Sequence, residues 1–124
     1  MNPKEYKQIA VVGVSGDASK YGHKIFRDLL NAGYPVAGVN PKGGFVLGQQ
    51  LYKSLSDIEK KPDLVITVVH SAVTELAVEE CNRLGVKHIW MQPGSESDAA
   101  VGKAKEYGIK TTLACFMVVK GVWQ

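Results

Sequence analysis

The stretch QIAVVGVSGDASKYG, residues 8–22, decides the fold because it joins a short apolar run to a turn of small residues. The run from Gln8 to Val14 is nearly continuous in Ile, Ala and Val, which is typical of a strand buried on both faces. Over Gly22 to Ala32, apolar residues then recur at the three- and four-residue spacing of a helix. A strand, a turn and a helix in this order predict the first unit of a parallel α/β sheet.

The same alternation continues along the chain. Further strands are predicted at 36–40, 64–69, 88–91 and 110–114, and further helices at about 72–84 and 95–107. Residues 41–53 are predicted to form a loop with a small extended piece near Leu51 and Tyr52. The pattern predicts one domain over residues 1–124, a Rossmann-like, doubly wound, five-stranded parallel sheet with helices on both faces. The predicted strand order is 3-2-1-4-5, and a flavodoxin-like order is the alternative.

Composition excludes several classes of function. The 124 residues carry a net charge of +3, which is too mild to indicate a nucleic-acid-binding protein. Residues 1–62 contain nine Lys or Arg and five Asp or Glu, so their net charge is +4 and an anion would bind in this half. Two cysteines cannot form a disulfide framework, and no secretory segment or membrane span is visible, so the cytoplasm is predicted. The apolar tail, residues 116–119 and 122–123, is predicted to pack onto the sheet or to form a homodimer.

Ligands of parallel sheets bind at the carboxyl ends of the strands. The turn after the first strand contains small residues, namely Gly13, Ser15, Gly16, Ala18 and Ser19. Small side chains let the backbone approach a phosphate, the following helix offers free N–H groups, and Lys20 adds a positive charge. The spacing matches neither G-x-G-x-x-G nor a Walker loop, so an ordinary glycine-rich turn is the alternative. Gly13→Val is expected to abolish binding while the fold survives or weakens only modestly.

The residues at the end of the second strand distinguish between the possible nucleotide ligands. An NAD site places a carboxylate there, whereas this chain has Asn40, Pro41 and Lys42. A lysine at this point favours an adenosine with an additional ribose phosphate, as in coenzyme A or NADP. The alternative is an ordinary solvated lysine.

Four segments in order resemble a known family: VVGVS at 11–15, GVNPK at 38–42, YKSLSDI at 52–58 and WMQPG at 90–94. They are similar to small CoA-binding domain proteins and to the nucleotide-binding domains of the succinyl-CoA synthetase α-subunit and of ADP-forming acyl-CoA synthetases. The resemblance covers about Ile9 to Met117 and implies a Rossmann-like fold with coenzyme A at the carboxyl edge.

The resemblance also assigns residues to parts of the ligand. The diphosphate loop would include Gly13, Ser15, Ser19 and Lys20. The adenosine and its phosphate would be flanked by Asn40, Pro41 and Lys42. The pantetheine path would run along 69–72, with His70 and Ser71, and along 92–94, with Gln92 and Gly94. In the synthetases the phosphorylated histidine lies on a further domain, which this chain ends without reaching. The resemblance therefore implies binding without inherited ligase chemistry, and no catalytic residue is predicted.

Isolated side chains leave other functions open. Cys115 follows the last strand and could form a mixed disulfide with the thiol of coenzyme A, although a buried structural thiol is favoured. Cys81 lies on the apolar stripe of a helix and is predicted to be core. His23, His70 and His88 have no metal-ligand spacing and are interpreted as structural or surface residues; the alternatives are a hydrogen bond from His70 to a ligand and an added charge from His23. The alternatives are an NADP-linked reductase, a CoA transferase that acts through Cys115 or His70 with a partner subunit, and a scaffold with a vestigial site.

Overall fold

The structure, a computed structural model, describes residues 5–121. Its strands are β1 Ile9–Val12, β2 Val36–Val39, β3 Phe45–Val46, β4 Gln49–Gln50, β5 Leu64–Thr67, β6 His88–Met91 and β7 Lys110–Leu113. Its helices are α1 Tyr21–Asn31, α2 Ser71–Leu84, α3 Asp98–Glu106 and α4 Phe116–Lys120, with a 3₁₀ turn at Leu55–Asp57. Five strands form one parallel sheet, so the predicted α/β class is confirmed.

The order of the sheet is β2-β1-β5-β6-β7. This order differs from the predicted 3-2-1-4-5 and follows the flavodoxin-like alternative, because β5 lies beside β1 rather than beyond β2. The outer edge of β2 is occupied by Tyr52, whose N–H donates to the Gly38 carbonyl and whose carbonyl accepts from Asn40 N–H. All four residues of β5 are buried, whereas half of β2 is only partly buried, so β5 requires an interior position.

Helices cover both faces of the sheet, and each face has its own core. On one face, Ile9 and Val11 pack with residues of α1 and α4. On the other face, Ala10 and Val65 pack with residues of α2 and α3. Cys81 belongs to this second core as predicted, and burial raises the pKa of its thiol to about 12. The alternation of side chains along β1 therefore specifies the two layers.

Two segments differ from the sequence prediction. Residues 45–50 form a small antiparallel hairpin of β3 and β4 inside the predicted loop. The tail forms α4, in which Phe116 and Met117 are fully buried while Val118 and Val119 are exposed. The prediction that the tail packs onto the sheet is confirmed for Phe116 and Met117, and its part at 122–123 lies outside the described residues. Within residues 5–121, no helix is long and apolar enough to cross a membrane.

Candidate functional site

The turn after β1 is held tightly against the end of β5. Gly13 has a φ of 108°, and a Cβ atom there would lie 2.6 Å from Val69 Cγ1 and overlap the Val68 carbonyl. Gly13 is therefore required by the packing of two strands and not only by the approach of a ligand. The expectation that Gly13→Val would leave the fold largely intact is corrected by this contact.

A second glycine, which the sequence reasoning did not single out, joins the same turn to α1. A Cβ atom on Gly22 would overlap the Gly13 carbonyl. Close packing of helix against strand is the role of the last glycine in dinucleotide-binding turns. The fingerprint spacing expects this last glycine at position 18, where the chain has Ala18. Gly22 comes four residues later, so the spacing did not reveal it.

Asp17 organises the tip of the turn. Its carboxylate accepts from the N–H of Ser19 at 2.9 Å and from the Ser19 hydroxyl at 2.7 Å, and these bonds lower the pKa of Asp17. The Ser15 hydroxyl accepts from Asp17 N–H and keeps its own proton for donation. The buried His23 donates from Nδ1 to the Ser15 carbonyl, in agreement with its structural interpretation. Ser15 can thus donate to a phosphate, while the donors of Ser19 are occupied.

Asn40 connects the turns after β1 and β2. Its Nδ2 donates to the Val14 carbonyl at 2.8 Å, and its Oδ1 accepts from Lys42 N–H at 2.9 Å. The amide therefore fixes the separation of the two turns. Pro41 and Lys42 are exposed beyond it.

A groove of about 440 Å³ lies between the end of β2 and helix α2 and is called the β2 groove here. Its lining includes Gly13, Asn40, Pro41, Lys53, Val69, Val73, Leu76, Glu79, Glu80 and Arg83. Lys42 is not in the lining, whereas Lys53 is, so the structure adds a cation that sequence reasoning missed. No pattern in residues 41–53 distinguishes Lys53, because only the hairpin brings it back to this edge.

The two carboxylates of the β2 groove already have partners. Glu79 accepts from the Tyr107 hydroxyl at 2.6 Å and pairs with Lys103 at 3.4 Å, and the bond from Tyr107 is the main reason that its pKa is lowered. Glu80 accepts from the hydroxyl and N–H of Ser56 at the 3₁₀ turn. These acids hold α2 to its neighbours.

A second and larger space, about 770 Å³, lies across the ends of β5 and β6 and is called the β6 cavity here. Its lining consists of Tyr21, Val68, Val69, His70, Gln92, Pro93, Gly94, Ser95, Cys115 and Val118. Val69 lines both spaces, so they adjoin beside the turn after β1.

The polar side chains of the β6 cavity are held by the backbone. His70 caps α2 by accepting from Ala72 N–H at Nδ1, so a neutral ring carries its proton on Nε2. Gln92 is buried, and its Oε1 accepts from Phe116 N–H at 2.6 Å. Ser95 donates to the Gln92 carbonyl and is buried, so α3 begins at Asp98 under a Ser97 cap rather than at the predicted Ser95. Ser71 begins α2 outside the lining.

The remaining candidates are dispersed. His88 bonds Thr112 through Nε2, and burial lowers the pKa of its ring, which agrees with a structural role. Residues 5–121 contain no group of three His, Cys, Asp or Glu side chains that could hold a metal ion.

A parallel sheet with a glycine-dependent turn between two adjoining spaces at its carboxyl edge has the architecture of a nucleotide-binding domain. Residues 7–121 match the family described as "CoA binding domain". The chain belongs to this CoA binding domain family.

Relatives of two kinds are found. The chain is 33% identical to acetate–CoA ligase (ADP-forming) I of Archaeoglobus fulgidus, over 84% of this chain and 17% of the ligase. It is 30% identical to the uncharacterized protein YneT of Bacillus subtilis, over 82% of this chain and 76% of that protein. A solved structure of a hypothetical protein from Pyrococcus horikoshii OT3 superposes with a TM-score of 0.88 at 34% identity, covering 94% of this chain and 82% of that one. The matched region spans only 12% to 19% of four acetate–CoA ligase chains.

Proposed function

We propose that residues 1–124 act as one domain that binds coenzyme A or an acyl-CoA along the carboxyl edge of the sheet, without performing acyl transfer by themselves. The observation that carries this proposal is Val69, which lines both the β2 groove and the β6 cavity. One elongated ligand can therefore extend from one space to the other past the turn after β1. Coenzyme A has this form, with a phosphorylated adenosine at one end and a thiol-bearing arm at the other.

The adenosine end fits the β2 groove. Pro41 and the exposed Leu76 offer apolar surface for a base, and the amide of Asn40 fixes the wall between them and the diphosphate turn. Lys42 lies beyond the groove and Lys53 lines it, so the two cations can approach a 3′-phosphate from two sides.

The diphosphate fits the turn before α1. The Ser15 hydroxyl retains its proton, the first N–H groups of an 11-residue helix face this edge, and Lys20 adds a full charge. Gly16 is exposed and has open space around it. Ser19 can donate to a phosphate only when its hydrogen bonds to Asp17 are broken.

The pantetheine arm fits the β6 cavity, because its amides need a few neutral partners. His70 offers Nε2–H, and Gln92 and the backbone of Gly94 border the same space. Ser71 follows His70 at the start of α2 and is outside the lining.

The test compares coenzyme A with dephospho-coenzyme A by calorimetry. Wild-type protein is expected to bind coenzyme A about ten- to a hundredfold more tightly, since a charge-assisted hydrogen bond contributes about 1.5–3 kcal/mol. Lys42→Ala should lose most of this preference, whereas Lys87→Ala, an exposed lysine next to the amino end of β6, should retain it. Equal constants for the two ligands in the wild type contradict the role of Lys42. Binding of NADP in place of coenzyme A refutes the proposed ligand.

We further propose that the isolated chain turns over no acyl-CoA. Catalysis needs a nucleophile or base held by a partner group, and within residues 5–121 neither His70 nor Cys115 has a side-chain hydrogen bond to an acid or base. Both line the β6 cavity, however, which is the observation that favours a CoA transferase as the second candidate. Acyl-CoA thioesters incubated with phosphate, ADP and candidate acids should release no thiol above the buffer rate. Turnover that disappears in Cys115→Ser or His70→Ala establishes the transferase.

A further inference from the structure

The walls of the β6 cavity differ from those of an ionic site. Among the described residues, no Lys, Arg, Asp or Glu lines the cavity, and most of its side chains are apolar or aromatic. Its volume of about 770 Å³ lies in the upper part of the range, roughly 300–1,000 Å³, that holds ligands the size of a drug molecule. A cavity with these walls suits a neutral, largely apolar group.

Two apolar side chains at the mouth are conspicuously solvated. Tyr21 is 60% exposed and Val118 is 69% exposed, and both line the cavity from opposite elements, α1 and α4. An apolar group that covers such surface gains affinity in proportion to the apolar area that it removes from water. A chain attached to the thiol would lie between these two walls.

A carboxylate lies beside the lining of the β6 cavity. The Glu96 carboxylate accepts from the N–H of Gly94, which is part of the lining. A carboxylate entering the cavity would lose hydration without a cation in the wall to replace it. Lys24, whose Nζ lies 5.8 Å from the centroid of the Tyr21 ring, is a cation outside the lining that could reach the rim. A dicarboxylic thioester therefore belongs in the test.

We propose that the β6 cavity holds the acyl group of a coenzyme A thioester, and that this acyl group is neutral, apolar and several carbons long. The inference rests on the proposed function, because the thioester reaches the cavity only if coenzyme A lies along the edge. It deepens that function by naming the class of ligand: a medium-length fatty acyl thioester is preferred to free coenzyme A and to a thioester with a terminal carboxylate.

The experiment titrates the full chain with coenzyme A, hexanoyl-CoA and succinyl-CoA by calorimetry, and mass spectrometry verifies that each ligand is intact afterwards. Hexanoyl-CoA is expected to bind more tightly than coenzyme A, by about fourfold for each methylene that becomes fully buried. Succinyl-CoA is expected to bind no more tightly than coenzyme A.

Two neighbouring residues provide a matched pair of variants. Val118→Asp places a charge at the cavity and should weaken hexanoyl-CoA binding about tenfold or more, and by a larger factor than it weakens coenzyme A binding. Val119→Asp changes a residue of the same helix that is 58% exposed and outside the lining, and should bind both ligands like the wild type. Circular dichroism verifies that each variant is folded.

The outcomes separate the two proposals. If coenzyme A binds but hexanoyl-CoA is no tighter, or if Val118→Asp and Val119→Asp behave alike, the acyl assignment is refuted and the proposed function stands. If succinyl-CoA binds as tightly as hexanoyl-CoA, the neutral character of the acyl group is refuted. If no ligand binds the wild type, the proposed function itself is refuted.

Discussion

The β2 groove and the β6 cavity lie on the same edge of one sheet, yet their walls have different chemistry. The groove, about 440 Å³, contains Lys53 and Arg83 together with Glu79 and Glu80. The cavity, about 770 Å³, has no such charged side chain among its described residues. The difference shows how one edge can suit a ligand that is ionic at one end and neutral at the other.

The two spaces are divided by the close contact between the turn after β1 and the residues that follow β5. Gly13 lines the groove, Val68 lines the cavity, and Val69 lines both. Because Gly13 has no side chain, the turn after β1 lies directly on the end of β5 and leaves a narrow wall. Any ligand that joins the two spaces must pass this wall, so a substitution at Gly13 tests the division between them most directly.

The largest effect is expected for Gly13→Ala. The added Cβ overlaps the Val68 carbonyl in a backbone conformation, φ 108°, that L residues rarely adopt. Strain and overlap together should lower the free energy of unfolding by about 3 kcal/mol or more, measured by urea denaturation.

Gly16→Ala in the same turn is the matched control. A Cβ there meets nothing within 4 Å, so its stability should be unchanged or raised by up to about 1 kcal/mol. Equal stability of the two variants would show that the wall between the spaces does not depend on Gly13.

The fold of the groove side could be predicted from the sequence only in part. The run 8–14 and the helix after it are local patterns, so β1 and α1 agree with the prediction within a few residues. Tyr52 pairs with the outer edge of β2, where the predicted order placed the third strand, and the hairpin that precedes Tyr52 has no apolar periodicity. Strand order is a long-range property, and the composition of the strands alone did not determine it.

The residues of the candidate site were predictable where they follow strands directly. His70, Gln92 and Gly94 follow β5 and β6 and do line the cavity, as the carboxyl-edge rule requires. Tyr21 and Val118 were not predicted, because their place in the wall depends on how α1 and α4 pack. Lys53 was missed for the same reason, since 12 residues, which include the hairpin, separate it from Asn40. Side chains on returning segments are thus the part that local reasoning cannot supply.

The smallest expected effect concerns Asp17. It tests the charge of the turn that is proposed to hold the diphosphate. The Asp17 carboxylate holds the N–H and hydroxyl of Ser19, and its negative charge lies in the turn proposed to hold a diphosphate. Asp17→Asn removes this charge and weakens the hold on Ser19, so coenzyme A should bind more tightly. The site is exposed, so the gain in affinity is limited to at most about fivefold, and it should diminish in high salt. Glu106→Gln, an exposed acid at the far end of α3, is the control for net charge and should leave the affinity unchanged. Weaker binding by Asp17→Asn would mean that Asp17 shapes the turn for the ligand rather than competing with it.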